Sequence, residues 1–167
     1  MFDRKSSRLS KYDYTQPGMY FVTICTKDRQ CLFGSITNGI MYLNQFGMIA
    51  EQEWLQTMMI RPNVFLDKYV MMPDHVHAII EIIRRGVMHY APTQTGFNSP
   101  SQTVGAIVRG YKSAVTKRIN QIRHSPGQSI WQRGFYDHII RNDEDLGRVR
   151  EYIRLNPVNW ERDEFNQ

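Results

Sequence analysis

The chain is short of cysteine, short of long apolar runs and short of acid relative to base, and each shortage excludes something. Cys25 and Cys31 are the two cysteines of 167 residues. Their spacing fits neither a four-ligand zinc site nor a disulfide framework, so they read as reduced thiols near a strand. The longest apolar stretches, such as that around Val76 to Ile83, fall far short of the ~20 residues that cross a bilayer. The N-terminal residues Arg4, Lys5 and Arg8 stand among polar neighbours with no apolar segment behind them, so no secretory leader is expected and the cytoplasm is the default compartment. Lys and Arg number 21 against 16 Asp and Glu, a net charge of +5. A basic excess favours a polyanionic partner through long-range attraction and counterion release. The apolar fraction of 41% and charged fraction of 22% are those of a globular protein, and the length suits one domain spanning 1–167.

What is present alternates between two periods. Gln16-Pro17-Gly18 is turn chemistry ahead of Met19 to Thr26, a β-branched and aromatic run that predicts a central strand. Asn38-Gly39 predicts a hairpin turn into Ile40-Met41-Tyr42-Leu43. From Asn44, a plausible cap, Phe46, Ile49, Ala50, Trp54, Leu55 and Met58 keep helical spacing to about Ile60, where Arg61-Pro62-Asn63 stops it. Strands are expected at Val64 to Met72 and His75 to Ile83, joined tightly at Pro73-Asp74. The stretch 84–101, rich in Gly, Pro and Ser, is expected to be a long mobile loop. Val104, Ile107, Val108, Tyr111, Val115, Ile119 and Ile122 then form one apolar stripe of a basic helix. Ile130 to Ile140 reads as a final strand or extended segment. Asn142 caps a last helix with Asp143, Glu144 and Asp145 in its first turn, and Pro157 ends it near Asn156. This order of elements predicts an α+β fold, an antiparallel sheet backed by helices.

Three constellations carry chemistry. His75-Val76-His77 sits at strand period, so both imidazoles leave the same face, and two aligned neutral imidazoles can hold a metal ion; the plainer alternative is two polar residues on a strand surface. Two ligands do not close a cage, so such a site borrows a further ligand or stays open to substrate. On the last helix, Leu146, Val149 and Ile153 form the apolar stripe, with Tyr152 at its edge and Asn156 one turn further on Tyr152's face. A phenol with its ordinary pKa of ~10 is a poor nucleophile and needs a nearby positive charge or base, which a metal could supply. Ordinary core packing of the tyrosine is the alternative. Third, Arg109, Lys112, Lys117 and Arg118 on one helix, with Arg133 and Arg141 around an aromatic segment, would suit phosphate contacts; interleaved Tyr111, Trp131, Phe135 and Tyr136 would suit stacking on unpaired bases. A solvated helix face with core aromatics is the competing account.

Read together, Tyr69-Val70-Met71-Met72-Pro73-Asp74-His75-Val76-His77-Ala78-Ile79-Ile80, Trp131-Gln132-Arg133-Gly134-Phe135-Tyr136-Asp137-His138-Ile139-Ile140-Arg141-Asn142 and Tyr152-Ile153-Arg154-Leu155-Asn156-Pro157 resemble the single-tyrosine HUH transposases, and most of all the REP-associated tyrosine transposases. Tyr14 to Gly18 and Gly105 to Ser113 extend the resemblance over nearly the whole chain. It implies a ferredoxin-like fold, a Mg or Mn ion on His75 and His77, Tyr152 as nucleophile and Asn156 as a further metal ligand. It also implies single-stranded or hairpin DNA as substrate and a 5′-phosphotyrosine intermediate in DNA transposition, while the short apolar runs lead to the expectation of no membrane association. Asp74 stands where Asn is common in the family, and its role is open. So is whether Tyr152 meets the histidines of its own chain or those of a second copy in a homodimer. Two rival expectations remain: a catalytically inactive or host-adapted module that binds single-stranded nucleic acid, and a rolling-circle-type replication initiator, which usually carries added helicase or primase regions.

Overall fold

A computed structural model describes residues 16–83 and 103–160. The expected loop at 84–101, the basic segment ahead of Gln16 and the last seven residues lie outside them. The elements run β1 (Gly18–Cys25), β2 (Gly34–Thr37), β3 (Ile40–Leu43), α1 (Gln45–Ile60), β4 (Val64–Met71), β5 (His75–Ile82), α2 (Val104–Ile122), β6 (Tyr136–Ile140) and α3 (Asp143–Leu155).

Strands β4, β5, β1 and β6 form one sheet in that spatial order, every neighbouring pair antiparallel. With α1 between β1 and β4 and α2 between β5 and β6, the order βαββαβ is the ferredoxin-like arrangement, and α3 is appended to it. β2 and β3 make a separate hairpin. Its turn places Asn38 at φ 52° and Gly39 at φ 73°, the left-handed pair that an Asn-Gly hairpin turn requires.

Alternation along β5 divides the molecule. Val76, Ala78, Ile80 and Ile82 join Tyr20, Val22 and Ile24 of β1 in the main core beneath Trp54 of α1 and Ile107, Tyr111 and Val115 of α2. Ile79 turns to the other face, where it meets Phe21 and Ile153 in a smaller cluster edged by Leu146 and Val149 of α3. The sheet is therefore covered on both sides, and a one-residue shift in β5 would exchange its histidines for core valine and alanine.

The caps agree with the sequence. Asn44 Oδ1 accepts from the amides of Phe46 and Gly47, and Asn142 Oδ1 from that of Asp145. The final extended segment is shorter than expected: the strand is Tyr136–Ile140, and Trp131 makes only an isolated bridge to Thr26. The cause is local. Gly134 sits at φ 77°, and the Lys112 ammonium donates to the carbonyls of Gln132 and Gly134, drawing those acceptors away from any ladder. Trp131 and Tyr111 are core residues, 7% and 3% exposed, packed against one another and, for Trp131, against Phe33. They cannot be stacking platforms for bases. Phe135 is half-buried against the same core, and of the four aromatics only Tyr136 stands exposed.

Candidate functional site

β5 is a central strand, so the histidines on its α3 side are enclosed rather than displayed: His75 and His77 are 0% and 1% exposed. This removes the surface-polar alternative. The register pairs Cys25 with His75 and Thr23 with His77, and each ring is held at its Nδ1. His75 Nδ1 lies 2.6 Å from Asp74 Oδ1, and His77 Nδ1 lies 2.8 Å from the Thr23 hydroxyl. The two Nε2 atoms are thereby turned toward each other, 2.9 Å apart. The Phe21 ring stacks on His77 with centroids 5.4 Å apart, and Trp160 stacks on His75 at 6.1 Å.

Electrostatics keep His77 suited to ligation. Burial first, and then the neighbouring His75 and Arg29, hold the pKa of His77 well below the usual imidazole range, so its ring stays neutral with a lone pair available. The Cys25 thiol is pushed up chiefly by burial, against the opposing pull of Arg29, and stays protonated and inert.

α3 crosses the sheet and delivers the tyrosine. Its first turn is tied to β6 by His138 Nε2 and Asp145 Oδ2 at 2.8 Å. Its middle is tied to β4 by a two-pronged Arg150–Asp67 pair at 2.7 and 3.1 Å. Ile153 plugs the smaller cluster. Tyr152, next to it, has its hydroxyl 3.4 Å from His77 Nε2 and its ring edge-on to Phe21 at 6.0 Å. It is 42% exposed, so it is neither core filler nor out of reach of a substrate. One turn on, at the C-cap of α3, Asn156 is 3% exposed and its Oδ1 is buried without a hydrogen-bond partner.

These residues fit a small divalent cation. Two ligands ~2.1 Å from a Mg ion in adjacent octahedral positions stand about 3.0 Å apart, close to the observed Nε2–Nε2 separation. An orphaned buried amide oxygen is an unmet acceptor of the kind such an ion takes. Among the described residues no group of three or more His, Cys, Asp or Glu gathers as a metal site. A complete set would therefore need the Asn156 amide and oxygens from substrate or water.

The basic residues separate into two groups. Arg109, Lys117, Arg133 and Arg141 are exposed with no ion-pair partner among the described residues. Arg118 is bound to Glu53 and Gln52 of α1, and Lys112 is half-buried on its two carbonyls. Composition did not single out Thr23, Phe21 and Arg29. Their roles depend on which strand lies beside β5, and period-two patterning alone does not reveal that.

No protein-family model matches the chain. It is similar to an uncharacterised protein of Haemophilus influenzae, 41% identical over 97% of this chain and 92% of the relative. It is also similar to a second protein of that organism described as a REP-associated tyrosine transposase, 28% identical over 87% of this chain and 73% of the relative. Among solved structures, its fold matches a REP-associated tyrosine transposase bound to a REP hairpin with a TM-score of 0.63, at 21% identity, over 91% of this chain and 74% of that one.

Proposed function

We propose that the chain is a member of the REP-associated tyrosine transposases, a reading supported by its similarity to the relative of that description and by its fold, and that it is a metal-dependent endonuclease and strand transferase that cuts and rejoins single-stranded DNA in transposition. The observation that carries this reading is the position of the Tyr152 hydroxyl, 3.4 Å from His77 Nε2 and on the same chain as both histidines. The nearness of Tyr152 to the histidine of its own chain supports a reading in which it acts on that chain's own site.

His75, His77 and Asn156 would hold a Mg or Mn ion, which when bound neutralises charge on the scissile phosphate. The rest falls to the chain. Phe21 stacks on His77 and meets Tyr152 edge-on, fixing the ligand ring and the nucleophile against one wall. The Tyr152 oxygen forms a bond to phosphorus as the bond to O3′ breaks; the phenolic proton leaves to water and the departing 3′ oxygen gains one. The product is a 5′-phosphotyrosine link that keeps the energy of the original phosphodiester. A 3′-hydroxyl can later attack the link and reseal DNA without ATP. Arg109, Lys117, Arg133 and Arg141, without ion-pair partners among the described residues, offer cations for backbone phosphates. Lys112 and Arg118 would first have to exchange the internal bonds that occupy them. The solved neighbour is bound to a REP hairpin, which supports hairpin-bearing single strands as the substrate class.

The test is incubation of the purified chain with labelled single-stranded hairpin oligonucleotides and Mn, read on a denaturing gel. A covalent protein–DNA band is expected, and Tyr152→Phe should lose it while still binding the same oligonucleotides. If the wild-type chain binds these strands but forms no adduct with any of them, it is a binding module on this fold.

A further inference from the structure

Asp74 is buried, 2% exposed, and its backbone is pinned where it stands. Its carbonyl accepts from both the amide and the hydroxyl of Thr26, at 2.8 and 2.9 Å. Its carboxylate is divided between two partners: Oδ1 lies 2.6 Å from His75 Nδ1 and Oδ2 lies 2.9 Å from Arg29 Nε. An ionised carboxylate only accepts, and a guanidinium only donates. A contact of 2.6 Å between a carboxylate oxygen and a ring nitrogen therefore requires a proton on that nitrogen. Arg29 Nη2 also approaches His75 Nδ1, at 3.4 Å. The shorter contact to the acceptor decides the matter, and Arg29 Nη2 competes for the same nitrogen only through a long 3.4 Å contact.

We propose that Asp74, gripped by Arg29, is the positioning residue that sets the tautomer of His75, keeping the proton on Nδ1 and the Nε2 lone pair directed at the place of the ion. This rests on the metal-site reading above and assigns the residue its part in that site. The other histidine is held differently. The Thr23 hydroxyl beside His77 Nδ1 can donate or accept, so it follows the tautomer of its ring, whereas Asp74 dictates that of His75.

Arg29 makes the charge of Asp74 matter. In Asp74→Asn the guanidinium charge of Arg29 still stands beside the side chain and favours its oxygen, so the amide oxygen turns to Arg29 and the amide NH2 faces His75. His75 Nδ1 must then accept, the proton moves to Nε2, and the lone pair that would meet the ion is blocked. Removing the demand reverses this: in Asp74→Asn with Arg29→Met the amide oxygen is free to turn back and accept from Nδ1–H.

The experiment is long-range 15N NMR of the histidine rings in the metal-free protein, paired with Mn titration. Wild type should show a protonated Nδ1 and an unprotonated Nε2 at His75. Asp74→Asn should invert that pattern and raise the Mn dissociation constant roughly 10- to 100-fold, and the double variant should restore both. A general loss of structure would not be repaired by deleting a second ion-pair member. A wild-type His75 protonated at Nε2 overturns the proposal without recourse to any variant, and so does a single variant with an unchanged tautomer. If the tautomer inverts as stated but wild type and variant bind Mn alike, or neither binds it, Asp74 keeps its role over the ring and the metal-dependent reading of the site fails instead.

Discussion

Ile153→Ala tests whether the nucleophile's helix is a separately anchored unit. Ile153 is the one fully buried residue of α3, 2% exposed and in contact with the small cluster around Phe21 and Ile79 rather than with the main core. The other anchors are polar contacts with partly exposed members, the Arg150–Asp67 ion pair and the His138–Asp145 hydrogen bond, and exposed contacts of that kind are worth ~0–1 kcal/mol each. Truncating a buried isoleucine to alanine costs ~2–5 kcal/mol. A loss of about 3 kcal/mol would raise the opening of α3 roughly 100-fold, and because the main core is untouched the loss should stay local. Hydrogen exchange followed by mass spectrometry reads this directly. Peptides covering 143–155 should lose protection, those covering 104–122 and 75–82 should not, and adduct formation should fall with α3 protection. Equal loss of protection in α2 and α3 would show that the two faces of the sheet unfold together and that the reasoning is wrong.

Two further perturbations probe the frame. Gly47→Ala should destabilise the protein by at least ~1–3 kcal/mol in urea titration, the range for overpacking, although alanine is the better helix former by about 1 kcal/mol. A Cβ at position 47 would meet the Phe33 carbonyl oxygen at 2.1 Å. Burial lowers the Lys112 pKa from its ordinary 10.5 to about 8. Between those two values the unfolded chain holds a proton that the folded chain does not, so this group's contribution to stability rises with pH across that window. Unfolding measured from pH 7.5 to pH 10 should therefore show wild type gaining on Lys112→Met as pH increases; a constant difference would mean that the carbonyls of Gln132 and Gly134 hold the ammonium charged throughout.

The elements whose signals are local could be read without coordinates. The Asn-Gly hairpin, the Asn44 and Asn142 caps and the stripes of α1 and α2 are decided within a few residues of chain, by turn stereochemistry, orphan amides and helical period. The segment 130–140 misled because aromatic and β-branched residues favour extension whether or not a ladder forms. Lys112, 20 residues before Gln132, takes the carbonyls that would have formed one. Basic and aromatic residues around α2 likewise look alike in sequence whether they face solvent or core. Packing put Tyr111 and Trp131 inside and tied Arg118 to α1.

Taken alone, the order of residues determined that His75 and His77 share a face, that Tyr152 and Asn156 share another, and that the chain resembles a family in which such sets meet, because periods of two and 3.6 are properties of the backbone itself. Only the tertiary structure decided that those two faces oppose each other in one chain, that Thr23 and Asp74 hold the imidazoles, and that Arg29 grips Asp74. The contacts of Arg29 with Asp74, Thr23 with His77 and Tyr152 with His77 join residues 45, 54 and 75 positions apart. Strand register and the docking of α3 select them, and both are set by burial summed over the whole sheet rather than by any local run of sequence.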